Sequence, residues 1–218
     1  MVRSRRKRFI FIHIQKTAGM SIRRDLQAQV EDAERPCGTH DGAREIIREL
    51  GAREWNAHFT FAFVRNPWER LVSWWTMIDH RRPRVPLYRY MPLARPRLKL
   101  WRFALDHAET FDEFVRNCTR TIVDRDGVKS FARPQVDYLV DASGRECVDY
   151  VGRFESLEDD YRVIRERLGL SQRRLPHIRH GTSHPHYSLL YSDATRDIVA
   201  ERFAADIERF GYRFEDRR

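Results

Sequence analysis

The chain has 218 residues, 41% hydrophobic and 12% aromatic, with 33% charged residues and a formal net charge of +9. That length can bury a substantial core, and the aromatic content excludes a disordered chain. Three widely spaced cysteines, Cys37, Cys118 and Cys147, make neither a disulfide framework nor a zinc site and suit a reducing compartment.

A basic balance favours polyanionic or phosphorylated partners. Of the 41 basic residues, however, only four are lysines (Lys7, Lys16, Lys99, Lys129). Arginine-rich coding composition explains part of the charge, so the charge alone does not argue for nucleic acid, and no nucleic-acid partner is expected.

The opening "MVRSRRKR", residues 1–8, reads as a basic N-terminal tail. The apolar run behind it, Phe9 to Ile12, stops at His13 and is too short for a signal core or a membrane span. The expectation is a cytoplasmic protein without membrane insertion, in which residues 9–218 form a single domain. Residues 9–14 are bulky and apolar without alternation, as in a parallel strand covered on both faces. A helix is expected from Met20 to about Glu31, with Ile22, Leu26 and Val30 four apart, and a second from about Asp41. "FTFAFV" (59–64) is another buried strand. "RNPWERLVSWW" then opens a helix, with Asn66 as N-cap, Pro67 in the first position and Glu69 three residues after the cap.

Residues 80–102 are basic, aromatic and broken by prolines, an insertion too long for an ordinary connection. They suit either an acceptor surface or a solvated charged segment. "TFDEFVRNC" (110–118) returns to helix. "VDYLV" (136–140) and "CVDYVGRFE" (147–155) read as short strands around an Ala-Ser-Gly turn. "SLEDDYRVIRERLGL" (156–170) is an amphipathic helix, and "ATRDIVAERFAADIERF" closes the chain as one more. Strands alternating with helices predict an α/β fold, P-loop-like and three-layered, with a mainly parallel central sheet flanked by helices.

Two stretches can carry chemistry. In "FIFIHIQKTAGMSI" a buried strand meets a helix through a loop, where free N–H groups make an anion site. Lys16 adds a charge, Thr17 and Ser21 add hydroxyls, and Gly19 permits close backbone approach. No glycine precedes Lys16, so the nucleotide pattern G-x-x-x-x-G-K-[ST] is absent. The plainer alternative is an ordinary strand–turn–helix. In "FVRNPWERLVS", Arg65 emerges at the carboxyl end of its strand, where open α/β sheets bind ligands. Ser73 lies two turns into the next helix. An arginine fork with a hydroxyl suits a phosphate monoester; capping of the helix by Asn66 and Glu69 requires neither residue.

Together these stretches resemble the paired signature of sulfotransferases that use 3′-phosphoadenosine-5′-phosphosulfate (PAPS), in particular the carbohydrate and uronyl 2-O-sulfotransferase-like branch. "RPQVDYL" (133–139), "VDYVGRFESLEDDY" (148–161) and "ADIERFGYRF" (205–214) extend the likeness to residue 214. The resemblance implies transfer of a sulfonate group from PAPS to a hydroxyl by in-line displacement, releasing 3′,5′-ADP. The acceptor would be a hydroxyl-bearing small molecule or, on the branch likeness, a glycan, and no metal is expected.

The same resemblance places Lys16 at the oxygen bridging phosphate and sulfonate. Thr17, Ala18, Gly19, Met20, Ser21 and Ile22 become the 5′-phosphate loop, while Arg65 and Ser73 hold the 3′-phosphate. Gln15 stands where the family more often has proline, and Met20 where it has a small residue. Arg153 in "GRFE", and Arg179, Thr182 and Ser183 in "RHGTSHPHYS", become further cofactor contacts; a polar surface loop is the alternative for the latter three. An acceptor hydroxyl needs a general base, and histidine suits that role near neutral pH. His40 in "CGTHDGAREI" matches the placement of a catalytic histidine in the uronyl branch. A mere neighbour of a helix cap is the other reading, with Asp41 as the alternative base. His13 reads as a loop-packing residue and His58 as the start of a strand.

Two other classes compete with this reading. A small kinase or NTPase would need the missing glycine-rich loop. A non-catalytic polyanion-binding module would leave the placement of Lys16 and Arg65 at strand ends unexplained.

Overall fold

The computed structural model describes residues 1–80, 99–120, 130–176 and 186–218. The helices in chain order are α1 (Gly19–Gln29), α2 (Ala43–Leu50), α3 (Ala52–Asn56), α4 (Pro67–Asp79), α5 (Lys99–His107), α6 (Phe111–Glu113), α7 (Leu157–Leu168), α8 (Asp193–Arg202) and α9 (Ala204–Phe210). The chain divides into two compact units, Met1–Asn66 with Pro134–His180 and Pro67–Arg133 with Gly181–Arg218.

The first unit holds a four-stranded sheet in the order β1 (Val2–Ser4), β2 (Phe9–Ile12), β3 (Phe59–Val64), β4 (Tyr150–Arg153). β1 runs antiparallel to β2, with Val2 opposite Phe11. The other pairs are parallel, with Ile12 opposite Ala62 and Val64 opposite Arg153. The expected α/β class is therefore the observed one, with a mainly parallel sheet flanked by helices.

On one sheet face Phe9, Phe11, Phe61 and Phe63 pack with Ile22 and Leu26 of α1 and Tyr161, Ile164 and Leu168 of α7. The Phe11 and Phe61 rings stack with centroids 5.1 Å apart. Each such phenyl contributes roughly 1.5–3 kcal/mol on leaving water. Side chains alternate across a strand, and Ile10, Ile12 and Ala62 of the opposite face are equally buried. That is why β2 reads as an unbroken apolar run and β3 as one interrupted only by Thr60. Gly152 is required by the same packing: a Cβ there would lie 2.5 Å from the Phe63 ring on the adjacent strand.

Four local readings of the sequence need correction. The segment expected as a basic tail supplies the edge strand β1. Arg3 pairs with Glu34 at 2.6 Å and Glu54 at 2.9 Å, and the Ser4 hydroxyl donates to Asp32. Its charges are thus met by carboxylates distant in sequence. Lys7 extends this by donating to the Leu168 carbonyl at the end of α7, 3.0 Å away.

Of residues 136–140 only Val140 pairs as expected, in an isolated antiparallel bridge with Glu146 across the turn. Val136–Tyr138 form a 3₁₀ turn that sends the Tyr138 hydroxyl to Gln15 Oε1 at 3.4 Å, an inward contact that overrides the period-two pattern. β4 begins only at Tyr150, because the Asp149 carboxylate accepts from the Thr60 N–H and hydroxyl at 2.7 and 2.9 Å. The closing helix is two helices, α8 and α9, meeting at Phe203.

In the second unit, Trp74 meets Phe131 edge-on, Phe111 meets Tyr191, and Tyr191 donates to the Trp68 carbonyl at 2.8 Å. α6 widens into a π turn over Phe114–Cys118. The Arg202 guanidinium tends this turn, donating to the Val115 carbonyl and the Thr119 hydroxyl, both at 2.7 Å.

A buried ionic cluster ties α1 to α7. Asp25, fully buried, accepts from Arg165 at 3.2 Å, Arg173 at 2.8 Å, the Tyr161 hydroxyl at 3.0 Å and Gln29 at 2.9 Å. Arg165 also donates to the Arg173 carbonyl. Removing the carboxylate would strand the buried Arg165 charge. Asp25→Ala is therefore expected to lower the unfolding free energy by about 3–5 kcal/mol, measured by urea denaturation; a loss below 1 kcal/mol would mean that this cluster does not hold α1 in place.

Candidate active site

The site is built at the carboxyl ends of the parallel strands of the first unit. After Ile12 the chain passes through His13, Ile14 and Gln15 and enters α1 at Gly19. Within this loop two non-glycine residues take left-handed backbone, Lys16 at φ 71° and Ala18 at φ 63°. Left-handed backbone at ordinary residues is held only where surroundings enforce it, and it concentrates at functional sites. Passing between right- and left-handed conformations turns successive N–H groups to one side, a concavity that suits anions. The dipole of the eleven-residue α1 adds to it.

The roles of the loop residues divide. The Thr17 hydroxyl is buried and donates to the Ile14 carbonyl at 3.0 Å, so its proton braces the loop. The N–H groups of Ser21 and Ile22 donate to the Ala18 carbonyl at 2.9 and 3.2 Å. Ile22 is fully buried in the core and contributes packing, with neither its N–H nor its side chain turned to a ligand. The side chains of Lys16, Met20 and Ser21 are half-buried at the loop surface.

Arg65 follows the last residue of β3. Its Nη1 donates to the Lys16 carbonyl at 3.3 Å, which joins the two sequence motifs directly. Its guanidinium carbon lies 3.8 Å above the Phe154 ring, a cation–π contact that orients the fork. The Gln135 amide grips the Arg65 backbone on both sides, accepting from its N–H at 2.9 Å and donating to its carbonyl at 2.7 Å. The next N–H, of Asn66, donates to Glu155 at 2.6 Å. Reading the sequence missed Gln135 and Phe154 as positioning residues. Their signal was a lone amide after a proline in "RPQVDYL" and a phenyl directly after a strand-end arginine.

Arg153 ends β4 as an exposed cation on the same sheet edge, its N–H held by Asp160 at 2.7 Å. His40 is brought to the loop: its Nδ1 lies 2.9 Å from the His13 carbonyl, and the two rings meet edge-on with centroids 4.6 Å apart. Asp41 is engaged locally, accepting from the Gly38 N–H at 2.7 Å. Lys16, Arg65, Arg153 and His40 thus belong to one unit. Ser73 belongs to the second unit, half-buried on α4. Arg179, Thr182 and Ser183 lie outside the described residues, as does most of the basic segment 80–102.

The electrostatics disfavour thiolate chemistry. Burial, aided by Asp41, pushes the Cys37 thiol up to about 11, and burial likewise raises Cys147 to about 11 and Cys118 to about 12. His13 is held well below the ordinary histidine range, first by burial and then by the nearby His40. Among the described residues no three His, Cys, Asp or Glu side chains are grouped to hold a metal ion, and no helix is long and apolar enough to cross a membrane.

A model of the Sulfotransferase family matches residues 1–213. The chain belongs to the sulfotransferase family. An uncharacterized protein of Archaeoglobus fulgidus is 25% identical over 127 residues, which is 58% of this chain and 81% of that protein. The matched region of the family model takes in the loop, Arg65, Gln135 and Arg153, so the strand-end geometry lies within the part of the chain that the family shares.

For this member of the sulfotransferase family, the buried neutral His13 has a consequence for stability. Its folded-state pKa is depressed, so below about pH 6.5 the unfolded chain takes up a proton that the folded chain does not. Stability from this group is present above that pH and is lost as pH falls. As the pH falls from 7.5 to 5.5 the wild type should lose more stability than His13→Phe. Denaturant titrations at the two pH values check this; equal losses would show that His13 accepts its proton readily in the fold.

Proposed function

We propose that the chain transfers a sulfonate group from PAPS to an acceptor hydroxyl. The observation that carries this reading is the bond from Arg65 to the carbonyl of Lys16. It joins the left-handed, N–H-rich loop at the end of β2 to the arginine at the end of β3. Two anion-ready elements thereby become one surface at the sheet edge where α/β folds bind ligands. A donor with phosphate groups at both ends of one nucleoside suits such a surface, and family membership supports sulfonate transfer.

The donor supplies an activated sulfonate on a phosphate leaving group; the work of the chain is positioning and charge. The Lys16 ammonium and the loop N–H groups supply positive potential where the leaving phosphate collects negative charge, the kind of preorganised stabilisation that dominates transfers of this type. Arg65, fixed by Gln135 and Phe154, presents a fork matched to a phosphate monoester. Arg153 adds a cation to the same edge. His40 takes the proton of the acceptor hydroxyl. A carbohydrate hydroxyl is the favoured acceptor, on the likeness of the two loops to the uronyl branch.

The reading is tested by thermal stabilisation with 3′,5′-ADP, 5′-AMP, and ATP with magnesium. At 100 times its dissociation constant, 3′,5′-ADP should add about 2.7 kcal/mol, seen as a rise in Tm larger than that given by either other nucleotide. Lys16→Ala and Arg65→Ala should each remove most of that rise. With labelled donor and a competent acceptor, Lys16→Ala should slow transfer on the order of 10²–10³-fold. Stabilisation by 3′,5′-ADP no greater than by 5′-AMP would overturn the reading. A response confined to ATP with magnesium would point to a kinase, and variants that change only salt-dependent affinity would point to a polyanion-binding module.

A further inference from the structure

His13 sits between β2 and the loop, and three of its parts are in use. One region of its ring lies against Gly19: a Cβ at residue 19 would be 1.9 Å from His13 Cδ2 and 2.1 Å from Nε2. Gly19 is absent from the residues with positive φ, so the ring, and not the backbone conformation, requires glycine there. The ring also meets the His40 imidazole edge-on at 4.6 Å. Finally, its main-chain carbonyl lies 2.9 Å from His40 Nδ1. A carbonyl oxygen can only accept, so Nδ1 of His40 carries the hydrogen. In the neutral imidazole the basic lone pair is then on Nε2, since the partner of one ring nitrogen decides the state of the other.

We propose that His13 is a positioning residue for the transfer reaction: its ring and carbonyl hold His40 with Nε2 as the basic nitrogen, while the same ring fixes the entry to α1, so that one residue sets base and phosphate-type loop together. This rests on the reading of His40 as the base. The ring is suited to the task because it stays uncharged. Burial lowers its proton affinity first, His40 next, and the Met1 amine, Arg23 and Arg35 act in the same direction. A proton taken by His40 therefore does not meet a second imidazolium. The His13 Nδ1 is itself buried without a hydrogen-bond partner among the described residues, in keeping with a ring used as a wall.

The test is nitrogen-15 NMR of the imidazoles in the ligand-free protein, which requires neither donor nor acceptor. In the wild type at pH 8, His40 should be dominated by the Nδ1–H tautomer, and His13 should titrate well below an exposed histidine. Gly19→Ala drives a methyl group into the His13 ring, and His13→Ala removes the ring. In each variant the Nδ1–H form of His40 should fall from dominant to minor. In the double variant the methyl group has room, so Gly19→Ala should add nothing to His13→Ala, a non-additivity that identifies a shared contact.

An Nε2–H tautomer of His40 in the wild type would overturn the proposal even if neither variant folds. So would a His40 tautomer left unchanged in both single variants. Failure of the sulfotransferase reading shows separately, as absent stabilisation of the wild type by 3′,5′-ADP, while the tautomer is read without any ligand.

Discussion

The constraint on which the site depends is the left-handed backbone at Lys16 and Ala18. Neither residue is glycine, so each left-handed residue costs about 1–2 kcal/mol relative to ordinary helical backbone. The loop keeps this shape because its neighbours leave no alternative. Thr17 braces it from inside by bonding to Ile14, Arg65 holds the Lys16 carbonyl from the adjacent strand, and the His13 ring blocks the volume beside Gly19. The Lys16 side chain stays half-buried at the loop surface, and the rest of the first unit serves to hold the loop at the strand ends.

That service is visible at several distances from the loop. The parallel pairing of β2, β3 and β4 brings their carboxyl ends together, and the pairing is possible because Gly152 leaves room for the Phe63 ring. Asp25 binds α1 to α7 through Arg165 and Tyr161 and to the segment after α7 through Arg173, so the helix that begins at the loop is fixed again in its second turn. Gln135 spends both ends of its amide on the backbone of Arg65. A buried amide satisfied on both sides is a strong orienting device, because leaving either end unmade would carry the full desolvation penalty. The arginine side chain itself meets its aromatic wall and the Lys16 carbonyl.

Much of this was legible in the residues. The apolar runs of β2 and β3 gave a sheet buried on both faces, the four-residue spacing of Ile22, Leu26 and Val30 gave α1, and Asn66-Pro67 marked the start of α4. Lys16 and Arg65 stood out because they follow strands. Other features were not legible, for identifiable reasons. β1 was hidden in an arginine-rich stretch because its charges are met by Glu34 and Glu54, which no local pattern connects to it. Residues 136–138 alternate like a strand yet turn as a 3₁₀ helix, because Gln135 and Tyr138 are drawn to partners on other segments. Thr17 and Ile22 fit the loop motif by position, while their hydrogen bonds and burial make them parts of its frame.

The sequence alone determined the class of fold and the chemical types at the sheet edge: a lysine and an arginine after buried strands, hydroxyls beside them, and histidines nearby. Those follow from local periodicity and from residue chemistry, which act over a few positions. Only the tertiary structure decided which of these groups lie together. The bond between Arg65 and Lys16, the grip of Gln135, and the contact of His40 with His13 each join residues far apart in the chain. No local pattern encodes such pairs, because they exist only once burial has brought the segments together.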